Sequence, residues 1–291
     1  MAALEQPVHP LHLAVREGVT DQLQLLVADA GELLGNLHDR AVELAHHPTL
    51  AIGVGAELCF VALASAQLHQ PLEPLLQGAG GMACVRPAFL NQVEQRVRQS
   101  GALLIADEVL TGFGRTGSLF AFQQASIQPD LIALSKGLTG GFLPMGVTLA
   151  REGIYQGFLS EDPGRTFWHG HSFTANPLGC AAANASLDLL EQQPERYRQM
   201  AERHRPHLET LAQQPLVQRP RLLGTMAAFD LATDQPGYLN PAGKVLQAQA
   251  RARGVFVRPL GSVVYLLPPL CITDQQLEQC YAALNAALQA L

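Results

Sequence analysis

Residues 103–117 read LLIADEVLTGFGRTG, and residues 129–141 read PDLIALSKGLTGG. Each begins with a short apolar run that stops abruptly at ionisable side chains. Ala102 to Ala106 ends at Asp107-Glu108, and Leu131 to Leu134 ends at Ser135-Lys136. Continuous apolar runs of four or five residues, without polar alternation, suit strands buried on both faces. The ionisable residues then stand at the carboxyl ends of those strands, where open α/β sheets bind their ligands.

Working outward, Gly78 to Gly81 is a turn, and Pro87 to Gln99 is a helix with proline allowed in its first turn. Gly146 to Ala150 is a third strand. Asn176 to Gln192 is a helix with small residues on one face, suited to close packing. A smaller unit follows. It holds an Arg-rich helix from Arg196 to Leu211, strands at Gly224 to Phe229, Val255 to Arg258 and Val263 to Leu267, and a closing helix from Asp274 to Leu288. Strands and helices alternate, so the fold class is α/β. The expected division is an atypical N-terminal segment (1–70), a cofactor-binding core (71–200) and a C-terminal small domain (201–291). In the first segment, Leu11 to Leu34 has the apolar spacing of helix (Leu11, Val15, Val19, Leu23, Leu26).

Composition narrows the function. Only 15% of the residues are charged and the net charge is −6, with no basic run. That argues against a nucleic-acid partner and for a large core or an oligomer. The apolar stretch Leu50 to Ala66 is short for a membrane span and has Glu57 in its middle, so none is expected. Five irregularly spaced cysteines form no CxxC pair, which fits a reducing, cytoplasmic setting. His169 and His171 are too little for a metal site, and no metal is expected.

Only two lysines occur, Lys136 and Lys244, so 17 of the 19 basic residues are arginine. Lys244, in a polar stretch, is expected at the surface. An acid and a lysine at neighbouring strand ends are open to two readings: a buried ion pair, or the two groups that pyridoxal phosphate requires. That cofactor needs an amine to bind its aldehyde and a carboxylate to keep its pyridine nitrogen protonated. Apolar surroundings would help the amine lose its proton, and the same amine could later carry a proton between carbons.

The two quoted segments resemble the signature of class III pyridoxal-phosphate-dependent aminotransferases. The likeness continues through EPLLQGAGGM (73–82), HGHSFTANPLGCAAANASL (169–187) and VFVRPLGSVVYLLPP (255–269). Within the class these segments are most similar to the adenosylmethionine–8-amino-7-oxononanoate aminotransferases of biotin synthesis. The resemblance implies a type I PLP-dependent transferase fold, with a partial large domain around a mostly parallel sheet and a smaller α+β domain. It implies pyridoxal 5'-phosphate as cofactor and a homodimer with sites at its interface. The substrates implied are 8-amino-7-oxononanoate and the amino donor S-adenosylmethionine. Another ω-aminotransferase, acting on ornithine, 4-aminobutyrate or diamines, is the alternative, as is a catalytically inactive fragment.

By the same resemblance Lys136 binds the cofactor covalently, Asp107 contacts the pyridine nitrogen and Val109 packs on a ring face. Ser172 binds the phosphate of the neighbouring subunit's cofactor. Arg258 holds the substrate carboxylate, a task suited to a guanidinium fork. Arg115, Tyr265 and Gly170 line the substrate pocket, and Asp130 supports the Lys136 loop. Residues 1–70 show neither the Gly-Ser phosphate loop nor the stacking aromatic residue that the family places before EPLLQGAGG. A truncated or frame-shifted start, with weak cofactor binding and doubtful activity, is the expectation.

Overall fold

The computed structural model describes residues 81–84, 86–167, 172–234, 237 and 239–291. It also describes the backbone of three short strands nearer the N-terminus. Those strands are β1 (Leu23–Leu26), β2 (Ile52–Val54) and β3 (Leu76–Gln77). Then come β4 (Ala83–Cys84), α1 (Pro87–Ser100), β5 (Leu104–Asp107), β6 (Leu131–Leu134), β7 (Val147–Arg151), α2 (Glu152–Gln156) and α3 (Pro177–Gln192). The last part holds α4 (Glu195–Arg198), α5 (Met200–Leu211), β8 (Val217–Leu223), β9 (Met226–Leu231), α6 (Ala242–Arg251), β10 (Val263–Leu266) and α7 (Asp274–Gln289).

The larger sheet runs β1-β7-β6-β5-β2. β2, β5 and β6 are parallel, whereas β7 and β1 join antiparallel. Because β1 is antiparallel to β7, which is itself antiparallel to β6, four of these five strands share one direction and β7 alone is reversed: the sheet is mostly parallel, as expected, with one antiparallel strand. Residues 23–26 form a strand on Thr148–Arg151, inside the stretch expected to be helical. Four residues with three leucines carry too little periodicity to choose between the two, and edge pairing decides. The rest of that expected helix lies outside the described residues.

Local chemistry explains the helices around this sheet. α1 starts with Pro87 and stops at Gly101, whose left-handed φ of 72° lets its N–H reach the carbonyls of Arg98 and Val97. Its buried stripe of Leu90, Val93 and Val97 covers the sheet with Leu104, Ile132 and Leu134. α3 starts at Asn176, whose side chain accepts from the Gly179 N–H at 2.7 Å. Its buried positions are the small Gly179 and Ala183, as the sequence led one to expect.

The second sheet, β10-β9-β8, is antiparallel throughout. The expected strand at Val255 to Arg258 does not form: Val255 and Val257 are buried and Phe256 and Arg258 exposed, but this alternating segment pairs with nothing in the sheet. The sheet's third strand is β8, VQRPRLL, paired with β9, which the sequence reading missed because of its polar residues and proline. The Arg-rich helix breaks at Gln199 into α4 and α5. Ala227, Phe229, Leu231, Val264 and Leu266 form one sheet face and pack with α5, α6 and α7 into a core separate from that of the larger sheet. α7 is capped reciprocally by Thr273 and Gln276.

Candidate functional site

The parallel pair β5 and β6 sets the site. Asp107 at the end of β5 is in register with Ala133, so Lys136 follows three residues beyond that level on the neighbouring strand. Both side chains therefore arise at the same carboxyl edge of the sheet. Asp107 is half-buried, and its Oδ1 accepts the N–H of Val109 at 3.0 Å. That bond folds the half-buried Val109 into the turn just past the strand. Lys136 is exposed. This departs from the apolar setting expected for it, because Ser135 and Lys136 lie beyond the buried LIAL run, at the open end of the strand.

Lys136 is held through its neighbours. Ser135 donates its hydroxyl to the Met145 carbonyl at 2.9 Å, and the Gly137 carbonyl accepts from Ser186 Oγ of α3 at 3.3 Å. Asp130, at the opposite end of β6, makes ion pairs with Arg98 at 2.5 Å and Arg151 at 3.1 Å and accepts the Leu104 N–H at 2.7 Å. It joins α1, β5, β6 and β7, a supporting role well away from the strand end.

Glu108 is the group that the sequence reading did not use. It is 2% exposed. One carboxylate oxygen accepts the Phe122 N–H at 2.8 Å, the other the Thr111 hydroxyl at 2.5 Å. Burial first of all, and the neighbouring Asp107 carboxylate last, push Glu108 up to about 7, against hydrogen bonds from Thr111, Phe122 and Ala121 that pull it down. An acid directly after an apolar run was the available signal.

The turn GFGRTG (112–117) lies between these strand ends and the second sheet. Phe113 takes a φ of 59°, and Gly114 and Gly117 take 85° and 91°. Arg115, half-buried, donates to the Pro268 carbonyl at 2.7 Å, and burial lowers its pKa from the ordinary arginine value. Its own carbonyl accepts the N–H of Thr225 at 2.9 Å, at the β8–β9 hairpin. Arg258, exposed, and Tyr265, half-buried on β10, both line a cleft of about 550 Å³ that also includes Val257, Leu267, Pro268 and Gln276. Arg115 thus reaches the wall of the cleft that holds the other two.

Ser172 is exposed in the turn before α3. Gly170, His169 and His171 lie outside the described residues. Lys244 is exposed on α6, as expected. Among the described residues no His, Cys, Asp and Glu group could hold a metal, and no helix is long and apolar enough to cross a membrane.

An amine and a carboxylate on adjacent strand ends, with the carboxylate fixed as an acceptor by a backbone N–H, form a donor set that fits an aldehyde-bearing pyridinium. The comparisons with known proteins agree. Residues 71–288 match the aminotransferase class-III family. The adenosylmethionine-8-amino-7-oxononanoate aminotransferase of Synechococcus elongatus is 59% identical over 220 residues, which is 76% of this chain and 52% of that protein. The protein of the same name from Geobacter sulfurreducens is 42% identical over 71% of this chain and 48% of its own length. The chain spans about half the length of the curated relatives it matches. The Methanocaldococcus jannaschii structure bearing that name aligns with a TM-score of 0.69 at 32% identity, covering 74% of this chain and 52% of the other. An amine transaminase from an uncultivated Pseudomonas species, in its PLP-bound form, aligns at 0.69 and 29%, covering 90% and 56%. This chain belongs to the aminotransferase class-III family, whose cofactor is pyridoxal phosphate.

Proposed function

We propose that this chain carries the catalytic core of a pyridoxal-phosphate-dependent transaminase, with Lys136 as its catalytic residue. The observation that carries the reading is the placement of Lys136 and Asp107 on adjacent parallel strand ends. Bound pyridoxal phosphate would supply the aldehyde and the electron-accepting ring. Lys136 would hold the cofactor through its aldehyde carbon, and its amine, when free, would serve as the group that carries a proton. Asp107 would keep the ring nitrogen protonated, and Val109 would pack on one ring face. Ser172 would bind the phosphate of a cofactor in a second copy of the chain, which makes a homodimer the proposed working form. Separate apolar cores on the two sides of residue 200 support the division into a 71–200 core and a 201–291 small domain.

For the substrates we propose 8-amino-7-oxononanoate as amino acceptor and S-adenosylmethionine as donor, giving 7,8-diaminononanoate in the cytoplasm. Support comes from relatives of that name and from the pairing of Arg258 with Tyr265 on one cleft. Arg258 takes the carboxylate, while Arg115, Tyr265 and Gly170 line the rest.

The test is reduction of the chain with borohydride in the presence of pyridoxal phosphate, followed by peptide mapping. Label at Lys136, lost in Lys136→Ala, is the expected result. Equal label on Lys244, or none, would overturn the reading. For the substrate, Arg258→Ala should cripple turnover of the oxononanoate and leave the Lys136 label intact. Unchanged turnover would turn the assignment toward another ω-aminotransferase.

A further inference from the structure

The second sheet has two faces, and only one packs on helices. On the other face the register sets Arg221 of β8 opposite Ala228 of β9, and Ala228 opposite Tyr265 of β10. Residues directly opposite each other in antiparallel strands share a face. Asp230 belongs to the same face, opposite Val263. What covers this face is the turn at Gly81–Met82. Met82 is 3% exposed and sits in a small apolar cluster with Met226 and Ala228, against which Val263, Tyr265 and Leu267 pack.

One guanidinium fastens that turn. Arg221 donates from Nε to the Met82 carbonyl at 2.8 Å and from Nη2 to the Gly81 carbonyl at 2.5 Å. The same Nη2 meets Asp230 Oδ1 at 2.8 Å, and Nη1 reaches the Arg219 carbonyl at 2.8 Å. Asp230 is 3% exposed, and its second oxygen is paired with Arg219. A register shift between Gln218 and Arg221, where Pro220 interrupts the ladder, places Arg221 at the edge of the face. Such a planar fork fixes an approach direction as well as a contact, which a lysine ammonium would not.

We propose that Arg221, oriented by Asp230, is a positioning residue for the substrate side of the site. It clamps the Gly81–Met82 turn onto the sheet face that carries Tyr265 and so fixes the cleft wall that Tyr265 forms. This inference rests on the transaminase reading for its consequence, but not for the clamp itself.

Two measurements separate them. The first is amide hydrogen exchange on the cofactor-free chain. Arg221→Met should speed exchange roughly tenfold at residues 81–84 and 263–266, with the amides of α6 and α7 unchanged. If protection falls everywhere, Arg221→Lys, which keeps the charge beside Asp230 but not the fork, carries the comparison. Unchanged exchange at the turn and β10 in the variant so chosen would overturn the clamp. The second is an absorbance titration of the pyridoxal-loaded chain with the amino donor. Arg221→Met and Asp230→Asn should each weaken donor binding roughly tenfold, while the Lys136 label is unchanged. Equal affinity, or loss of label in parallel, would overturn the positioning role. A wild-type chain that takes no label at Lys136 would sink the transaminase reading, and the exchange comparison would still decide the clamp.

Discussion

A β-carbon placed on Gly137 would lie 2.7 Å from Cβ of Phe113, closer than real β-carbons approach. The residue after the lysine is therefore glycine because a buried ring from the turn after β5 occupies the side-chain space. Gly137→Ala should push the Lys136 loop and the Phe113 turn apart, at a cost of about 1–3 kcal/mol for overpacking. Urea unfolding measures that loss. Borohydride labelling should fall with it, and a variant of wild-type stability with full label would show that the contact does not set the loop.

Removing the carboxylate of Asp130 should be among the most damaging changes in the large domain. Asp130 is 5% exposed and holds two arginines and a strand N–H. Asp130→Ala leaves a strand amide without its acceptor and takes a counter-charge from two guanidinium groups, of which Arg98 keeps Glu94 at 3.5 Å. A loss of about 3–5 kcal/mol is expected where such a network is broken from one side, reduced here because Arg98 and Arg151 are about a third exposed. Chemical denaturation checks it, and a loss below about 1 kcal/mol would reduce Asp130 to the level of a surface pair.

Glu108 predicts a pH dependence of unusual sign for a carboxyl group. Its pKa in the folded chain is raised to about 7 from 4.5. The stability it contributes is therefore complete below pH 4.5 and is lost as pH rises through 7. Glu108→Gln keeps acceptor and size but does not titrate. The stability difference, wild type minus variant, should fall between pH 4.5 and 7, by up to about 3 kcal/mol. Unfolding midpoints over that range decide it. A constant difference would mean that the folded chain does not raise the pKa of Glu108 above its unfolded value.

How much of this was legible in the residues depends on the signal each element carried. Leu131–Leu134 was read to the residue because a buried strand leaves an unbroken apolar run between polar stops. Its neighbour, expected over Ala102 to Ala106, was begun two residues early and ended one short, since the strand runs from Leu104 into Asp107 itself. β8 was invisible. Arg219, Pro220 and Arg221 stand in its middle, and only the bulge and the ion pairs to Asp230 make them compatible with a sheet. Conversely, Val255 to Arg258 alternates like a strand because it lies half-buried along the cleft, without a pairing partner in the sheet. The pair Asp107 and Lys136 was found from chemistry at strand ends. The Arg221 fork could not be, because its acceptors are main-chain carbonyls some 140 residues away, and backbone acceptors leave no trace in side-chain identity.

His204 should give the opposite pH slope from Glu108. It is fully buried on α5, with Nδ1 2.7 Å from the Tyr281 hydroxyl of α7. Burial first, then the Arg203 and His207 charges, lower its pKa to about 4 from 6.5, against a smaller raising effect of the Thr225 backbone. A depressed pKa in the folded state means that the contribution is complete above pH 6.5 and lost as pH falls through 4. His204→Gln removes the titration, so the stability difference from wild type should shrink on acidification from 6.5 to 4. Between pH 4.5 and 6.5 the falling term of Glu108 and the rising term of His204 overlap and oppose each other. The wild-type chain should then be flatter in that window than either single variant, with Glu108→Gln gaining stability as pH rises and His204→Gln losing it. Two variants with slopes of the same sign would mean that folding does not shift at least one of these pKa values in the stated direction.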